Sequence, residues 1–217
     1  RAYATNALGT GYSETFTYET PLNVPDLDAT TMTEVKPTTA KAASVVISEN
    51  GSEITEKGFC LSKTEKEPTI ENTKVVVNGS TATYSVVLSN LESATTYYIR
   101  SYATNSKGTG YGEVAEFTTA VEIGETTVNG ITDTDASVSA EILTPAEHLA
   151  ITEKGFCYSS VNAVPTVADT KKVSSTQGNS ITASLTGLAD HTKYYICAYV
   201  VNDKGTYYGA VHEFTTK

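Results

Sequence analysis

A nine-residue segment that occurs twice constrains the fold of this chain more than any other feature. Ile54–Ser62 reads ITEKGFCLS and Ile151–Ser159 reads ITEKGFCYS, so eight of nine positions are identical and only Leu61 and Tyr158 differ. The two copies lie 97 residues apart. Because self-similarity at a fixed period marks repeated structural units, the sequence predicts modules of about 97 residues.

The same period extends beyond this segment. It aligns Pro68 with Pro165, and a partial third copy opens the chain, where Arg1–Asn6 matches Arg100–Asn105 at five of six positions. The connections between copies contain no Gly/Ser-rich stretch, so we expect a semi-rigid string. We predict three parts: the C-terminal hairpin of a truncated preceding module at 1–20, and whole modules at 21–120 and 121–217.

Composition narrows the class of protein. The chain has 217 residues, of which 39% are hydrophobic and 18% charged, as in soluble globular proteins rather than disordered or membrane-spanning ones. Fifteen Lys and Arg stand against 25 Asp and Glu, which gives a net charge of -10. This charge repels a phosphate backbone and an anionic membrane surface, so the sequence disfavours nucleic acid as a partner.

Hydrophobic residues follow the period of β-strands. Apolar and polar residues alternate in Ala136–Ile142 and Ile181–Leu185, which is typical of half-buried strands. Turn signals separate such runs, for example Asn78–Gly79 and Asn105–Gly108. With no stretch of helical spacing, the sequence predicts an all-β chain of tandem antiparallel sandwiches, each with seven strands.

Each module also carries the spacing Leu-x-x-x-Thr-x-Tyr. The copies are Leu91–Tyr97 and Leu188–Tyr194. In sandwiches with this pattern, a Tyr at the start of the sixth strand bonds its hydroxyl back to the backbone a few residues upstream. We therefore predict a structural tyrosine corner made by Leu91, Tyr97, Leu188 and Tyr194.

This corner, the alternating strand after it and the closing Phe-Thr-Thr of residues 117–119 resemble the fibronectin type III family. The pattern is particularly similar to tandem modules of Bacteroides-type bacterial surface and secreted proteins, which implies an extracellular or cell-surface location. Two features depart from the family: Trp is absent, and Ser93 stands where many members have Pro. No Arg-Gly-Asp sequence occurs, so the family's integrin binding does not carry over.

Residue types that carry chemistry give no coherent site. None of the three histidines, at 148, 191 and 212, repeats in the first module, and no catalytic motif surrounds them. The carboxylate pairs Asp26 with Asp28 and Asp133 with Asp135 lie near module junctions, where calcium binding competes with a role as solvated turn residues. We predict no enzyme activity, no cofactor and no metal.

The cysteines leave two interpretations open. By the resemblance, Cys157 and Cys197 lie on the third and sixth strands, which are neighbours in a fibronectin-like sheet, so a cross-strand disulfide is conceivable. Against it, the first module keeps Cys60 but has Arg100 at the other position. A small strand residue with a free thiol is the simpler interpretation.

Tyrosine supplies the candidate binding surface. If Tyr97 and Ile99 face the core, alternation turns their neighbours outward. Such an aromatic face binds protein or stacks on sugar rings, or it only stabilises the sheet through cross-strand packing. The predicted face consists of Tyr98, Arg100, Tyr102, Tyr195 and Tyr199, extended by Tyr111, Tyr207 and Tyr208.

The leading functional interpretation is a non-catalytic adhesion or spacer segment of a bacterial cell-surface or secreted multidomain protein, which contacts another protein or sets domain spacing. The alternatives are a glycan-binding accessory module and linker modules of a larger surface enzyme. The orphan hairpin at 1–20 should need a covering surface for Tyr3, Tyr12 and Phe16. We expect another copy of the chain to supply it by self-association.

Overall fold

The computed structural model describes residues 1–19, 21–145 and 149–217, and every regular element in these ranges is a β-strand. The chain begins with a two-stranded hairpin and continues into two β-sandwiches. The hairpin consists of β1 (Tyr3–Asn6) and β2 (Gly9–Tyr12).

The first sandwich has two antiparallel sheets. Its strands are β3 (Asp26–Leu27), β4 (Thr31–Thr33), β5 (Ala40–Ser48), β6 (Glu56–Ser62), β7 (Thr73–Val76), β8 (Thr83–Leu88), β9 (Thr96–Asn105), β10 (Gly108–Tyr111) and β11 (Ala115–Thr118). The longer sheet has the order β10-β9-β6-β7, and β11 continues the pairing along β9. In the other sheet, β5 lies between β8 and the broken first strand formed by β3 and β4.

The second sandwich repeats this arrangement. Its strands are β12 (Thr127–Asn129), β13 (Asp135–Glu141), β14 (Glu153–Ser159), β15 (Thr170–Val173), β16 (Ser180–Thr186), β17 (Lys193–Asn202), β18 (Gly205–Tyr208) and β19 (His212–Thr215). The sheets have the orders β12-β13-β16 and β15-β14-β17-β18, with β19 beside β17. When broken first and last strands are counted once, each sandwich has seven strands, which confirms the predicted fold class.

Each sandwich has its own hydrophobic core. Alternate residues of β5 are buried, and they face fully buried side chains of the longer sheet such as Phe59 and Ile99. The second core contains the repeat-related Phe156 and Ile196. Two separate cores agree with two modules, while the boundaries at 20/21 and 120/121 stay predictions.

The Asn78–Gly79 signal marks a crossing between sheets rather than a hairpin within one. It lies between β7 of the longer sheet and β8 of the other sheet. Gly79 has a φ of 111°, a conformation that side-chain-bearing residues rarely adopt. The connection thereby closes the sandwich at this edge.

The N-terminal hairpin is a local copy of the hairpin β9–β10. Tyr3 is paired with Tyr12 in register, as Tyr102 is with Tyr111. The Arg1 guanidinium lies 4.1 Å from the Tyr12 ring centre. Tyr3 and Tyr12 are nevertheless 73% and 58% exposed, so the expectation that they pack against something is not met within one chain.

Phe16 is likewise exposed, at 81% of its surface. Apart from the contacts of Tyr12 with Arg1 and Tyr3, the described residues leave most of the surface of these three side chains open to solvent. Self-association through residues 1–20 therefore stays a prediction.

Candidate functional site

The outer face of the two longer sheets was the predicted binding surface, and its central tyrosines prove to be buried. Tyr102 and Tyr199 are 0% exposed, so the prediction that they are available on the surface is wrong. In register, Tyr102 lies opposite Gly58 and Tyr199 opposite Gly155. A side chain at either glycine would collide with the backbone of the adjacent strand, at the Val75 carbonyl for Gly58 and the Lys172 carbonyl for Gly155.

A charged network holds each buried phenol. The Tyr102 hydroxyl donates to Glu56 Oε1 at 3.0 Å, and Lys74 Nζ lies 3.0 Å from the same oxygen. The hydrogen bond from Lys74 lowers the pKa of Glu56, while burial raises the pKa of Tyr102. Glu56 thus stays ionised as an acceptor, and Tyr102 stays neutral as a donor.

The second module has the same network. Tyr199 donates to Glu153 at 2.8 Å, and Lys171 pairs with Glu153 at 2.8 Å. These acids belong to the repeated nonapeptide, so the repeat itself is the sequence signal that could have identified the network. Its groups satisfy one another and serve the fold.

A covering segment, residues 63–72, closes the outer face of the first module. Arg100 Nε donates to the Pro68 carbonyl at 2.5 Å, and its guanidinium lies 4.1 Å from the Tyr111 ring centre. The Tyr111 hydroxyl accepts a hydrogen bond from the Ile70 amide at 3.3 Å. Arg100 and Tyr111 therefore anchor this segment instead of offering a free platform.

The corresponding covering segment of the second module is residues 160–169. The Tyr208 hydroxyl accepts a hydrogen bond from the Val167 amide at 3.2 Å, although 40% of Tyr208 is exposed. Tyr207 packs against the core of the module, so its predicted place on the outer face is wrong. The adjacent tyrosines of β18 thus point to opposite sides of the sheet.

Tyr98 and Tyr195 are half-buried at the other end of the sheets. Their cross-strand neighbours are acidic, Glu116 for Tyr98 and Glu213 for Tyr195. The eight predicted residues are therefore divided among buried, anchoring, core-facing and flanking positions. They do not form one continuous aromatic surface.

The two predicted tyrosine corners have matching geometry. The Tyr97 hydroxyl accepts a hydrogen bond from the Glu92 amide at 2.9 Å, and the Tyr194 hydroxyl accepts one from the Ala189 amide at 3.0 Å. Leu91 and Leu188 are buried beside these rings, in the two cores. Each corner hydrogen bond connects the turn before β9 or β17 to the start of that strand.

Cys157 and Cys197 are directly opposite each other on β14 and β17, as neighbouring strands require. Both are free thiols and buried, with 3.5 Å between the two Sγ atoms. The hydrogen bond with Cys197, together with burial, raises the pKa of the Cys157 thiol. In the first module the same register places Cys60 opposite Arg100.

The junction between the modules is bonded on both sides. On the first-module side, Thr119 Oγ1 donates to the Glu92 carbonyl at 2.6 Å, and the Ala120 carbonyl accepts from the Ala94 amide at 3.0 Å. The next residue, Val121, is buried in the second core. No residue of the junction is left between these contacts to act as a free linker.

The second-module side continues without a gap. The Glu122 amide donates to Thr144 Oγ1 at 2.7 Å, and the Glu122 carbonyl accepts from the Leu143 amide at 2.9 Å. Sequence reasoning missed these contacts. The only signal for them was the absence of Gly and Ser between Phe117 and Val121.

A groove opens between the edge strands β7 and β8 of the first module. It encloses about 710 Å³ and is lined by Leu61, Val75, Val87 and Tyr97, among others. The repeat places Tyr158 at the position of Leu61, and the Tyr158 ring lies 6.2 Å from that of Tyr194. The one difference in the nonapeptide thus places a larger ring at this position in the second module.

Groups for metal or acid–base chemistry are not brought together. In the described residues, no cluster of three or more His, Cys, Asp and Glu side chains could hold a metal ion. Asp26 accepts a hydrogen bond from Asn50, and Asp135 accepts one from Thr134. His191 and His212 are exposed, and His148 lies outside the described residues. Within those same residues, no helix has the length and apolar character needed to cross a bilayer.

Solved structures resemble this chain, whereas no protein-family model and no curated protein matches it. One is a two-domain fibronectin type III segment of chicken tenascin, with 15% identity over 88% of this chain and 99% of that chain, at a TM-score of 0.45. Another comprises the FN1–FN3 domains of chicken CNTN1, with 18% identity over 91% of this chain and 70% of that chain, at a TM-score of 0.36. The fibronectin type III-like fold follows from the strand order and pairing of the two sandwiches.

Proposed function

We propose that this chain is a non-catalytic spacer segment of a multidomain protein, in which rigidly joined modules set the distance between other parts. The observation that carries the proposal is the junction, where Ala120 is hydrogen-bonded to the first module and Val121 is buried in the second. A connection without free residues transmits position, whereas a flexible linker does not. An extracellular or bacterial cell-surface setting belongs to the same proposal and is based on the sequence resemblance.

The C-terminal end of the second module has the same hydrogen bonds as the C-terminal end of the first module at the junction. Thr216 Oγ1 donates to the Ala189 carbonyl at 2.6 Å, just as Thr119 does to Glu92. The Lys217 carbonyl accepts from the His191 amide at 3.2 Å, as the Ala120 carbonyl does from Ala94. The same two hydrogen bonds thus recur at the end of both modules, one from a threonine hydroxyl and one between backbone groups of residues that differ.

Small-angle X-ray scattering tests the proposal. Inserting Gly-Ser-Gly between Ala120 and Val121 should broaden the distribution of molecular dimensions, because the two sets of junction contacts become separated by a flexible link. The same insertion after Gly79 is the matched control, since nothing lies within 4 Å of a side chain placed there. The control should scatter like the unmodified chain.

The opposite result is equally clear. If the unmodified chain already requires an ensemble as broad as that of the junction insertion, the modules are flexibly tethered and the spacer proposal fails.

A further inference from the structure

The second module contains two cysteines that are positioned to form a disulfide bond. The first module cannot form one, because it has a single cysteine. Cys157 and Cys197 are directly opposite on neighbouring antiparallel strands, and their Sγ atoms are 3.5 Å apart. Opposite residues in such a pair have Cα atoms about 4.5 to 5.5 Å apart. This spacing lies within the range of about 4.4 to 6.8 Å that disulfides span.

We propose that Cys157 and Cys197 are an oxidation site that forms a cross-strand disulfide. Two S–H bonds break and one S–S bond forms, and the two electrons and two protons pass to the oxidant, whose own S–S bond breaks. A low-molecular-weight disulfide such as oxidised glutathione is a suitable oxidant, because it is reduced to two thiols by successive exchange. Closing the last distance needs side-chain rotation and no rearrangement of the strands.

The two thiols share a polar neighbour, unlike side chains in a purely apolar core. Both sulfurs lie near one backbone oxygen, the Pro165 carbonyl, at 3.6 Å from Cys157 and 3.3 Å from Cys197. In the first module the equivalent carbonyl, that of Pro68, accepts from Arg100 instead. One module therefore fixes its covering segment with a guanidinium, and the other with two weakly donating thiols.

Oxidation changes the stability of the module in two opposing ways. The disulfide connects residues 40 positions apart, which restricts the unfolded chain. It also removes both S–H donors from the Pro165 carbonyl. Loop closure is the larger effect, so we expect the melting temperature to rise by about 5 to 10 °C on oxidation.

Burial of both thiols makes direct oxidation of the folded chain slow, so the test is refolding. The protein is unfolded in guanidinium chloride, refolded with a mixture of oxidised and reduced glutathione, unfolded again without reductant and alkylated. We expect one alkylated thiol, Cys60, and a peptide that links Cys157 to Cys197, against three alkylated thiols in the reduced sample.

Two variants separate pairing from general thiol reactivity. Cys60→Ala should keep the link and the rise in melting temperature, whereas Cys197→Ser should lose both. Three free thiols after refolding, glutathione attached to Cys157 or Cys197, or a link that includes Cys60 would each overturn the proposal. The main measurement uses the unmodified chain, so it does not depend on either variant folding.

Discussion

At the scale of single residues, the alternation along a strand predicted on which face of the sheet a side chain lies, but not whether that side chain is buried. Tyr102 does lie on the face away from the main core, as the pattern of β9 requires, yet it is fully buried. The covering segment 63–72 creates a second, smaller interior on that face. The register that brings Gly58 opposite Tyr102 is a long-range property, and a period-two pattern within one strand does not contain it.

The tyrosine corner makes a prediction at this scale. Tyr194→Phe removes the hydroxyl that accepts from the Ala189 amide, while the ring stays stacked on Phe214 at 5.6 Å. Losing the acceptor of a part-buried amide should lower the free energy of unfolding by about 1 to 2 kcal/mol. Urea unfolding measures the change.

The neighbouring substitution Tyr195→Phe is the matched control, because this side chain lies on the other face and is half-buried. It should change the free energy of unfolding by less than about 0.5 kcal/mol. Equal losses in both variants would show that the corner hydrogen bond contributes nothing special.

At the scale of elements, the repeat predicted which segments form strands, but it did not predict the groove at the open edge of the first sandwich. Most of the nonapeptide lies in β6 in the first module and in β14 in the second. The two strands pair with equivalent neighbours, β9 and β17. The groove between β7 and β8 was not predictable, because it depends on how far apart the two sheets lie at their open edge. Only the contrast between Leu61 and Tyr158 hinted at a difference there.

That contrast gives a prediction for the groove. Leu61→Tyr should place a ring beside Tyr97, as Tyr158 lies beside Tyr194, and fill apolar space between β7 and β8. We expect the free energy of unfolding to increase by about 0.5 to 2 kcal/mol, the usual gain from filling a cavity. Denaturant unfolding of the variant and the parent chain measures it.

The reciprocal change, Tyr158→Leu, should open the second module and lower its free energy of unfolding by an amount of the same order. A destabilised Leu61→Tyr variant would mean that the groove cannot accommodate a ring. Val87, which the repeat replaces with Ser184, would then be the first neighbour to examine for overlap.

At the scale of the whole molecule, the period of 97 residues predicted two modules, and the structure adds how they are joined. The junction is held by the hydroxyls of Thr119 and Thr144 and by backbone groups of Ala120 and Glu122. Threonine is abundant throughout this chain, and every residue has backbone groups, so neither set of contacts is marked in advance. The absence of a Gly/Ser-rich linker therefore predicted a semi-rigid connection, but not the contacts that form it.

Both modules bury groups that ionise only at alkaline pH, which predicts where the molecule loses stability. Burial raises the pKa of Cys60 from 9.0 to about 12 and that of Tyr84 from 10.0 to about 12, and it also raises the pKa of Tyr102 and Tyr199. Since these folded-state values exceed the unfolded ones, the unfolded chain releases protons first as the pH rises. The contribution is complete below about pH 9 and is lost progressively towards pH 12.

Urea unfolding at a series of pH values measures this loss, and one residue can be isolated from it. Tyr84→Phe should flatten the decline between pH 10 and 12 by on the order of 2 kcal/mol, because it removes a buried phenol that resists ionisation. Tyr3→Phe, at a position 73% exposed, is the control and should leave the decline unchanged. If Tyr84→Phe declines as steeply as the parent chain, ionisation of this buried phenol does not limit alkaline stability, and the loss must arise from the other buried groups.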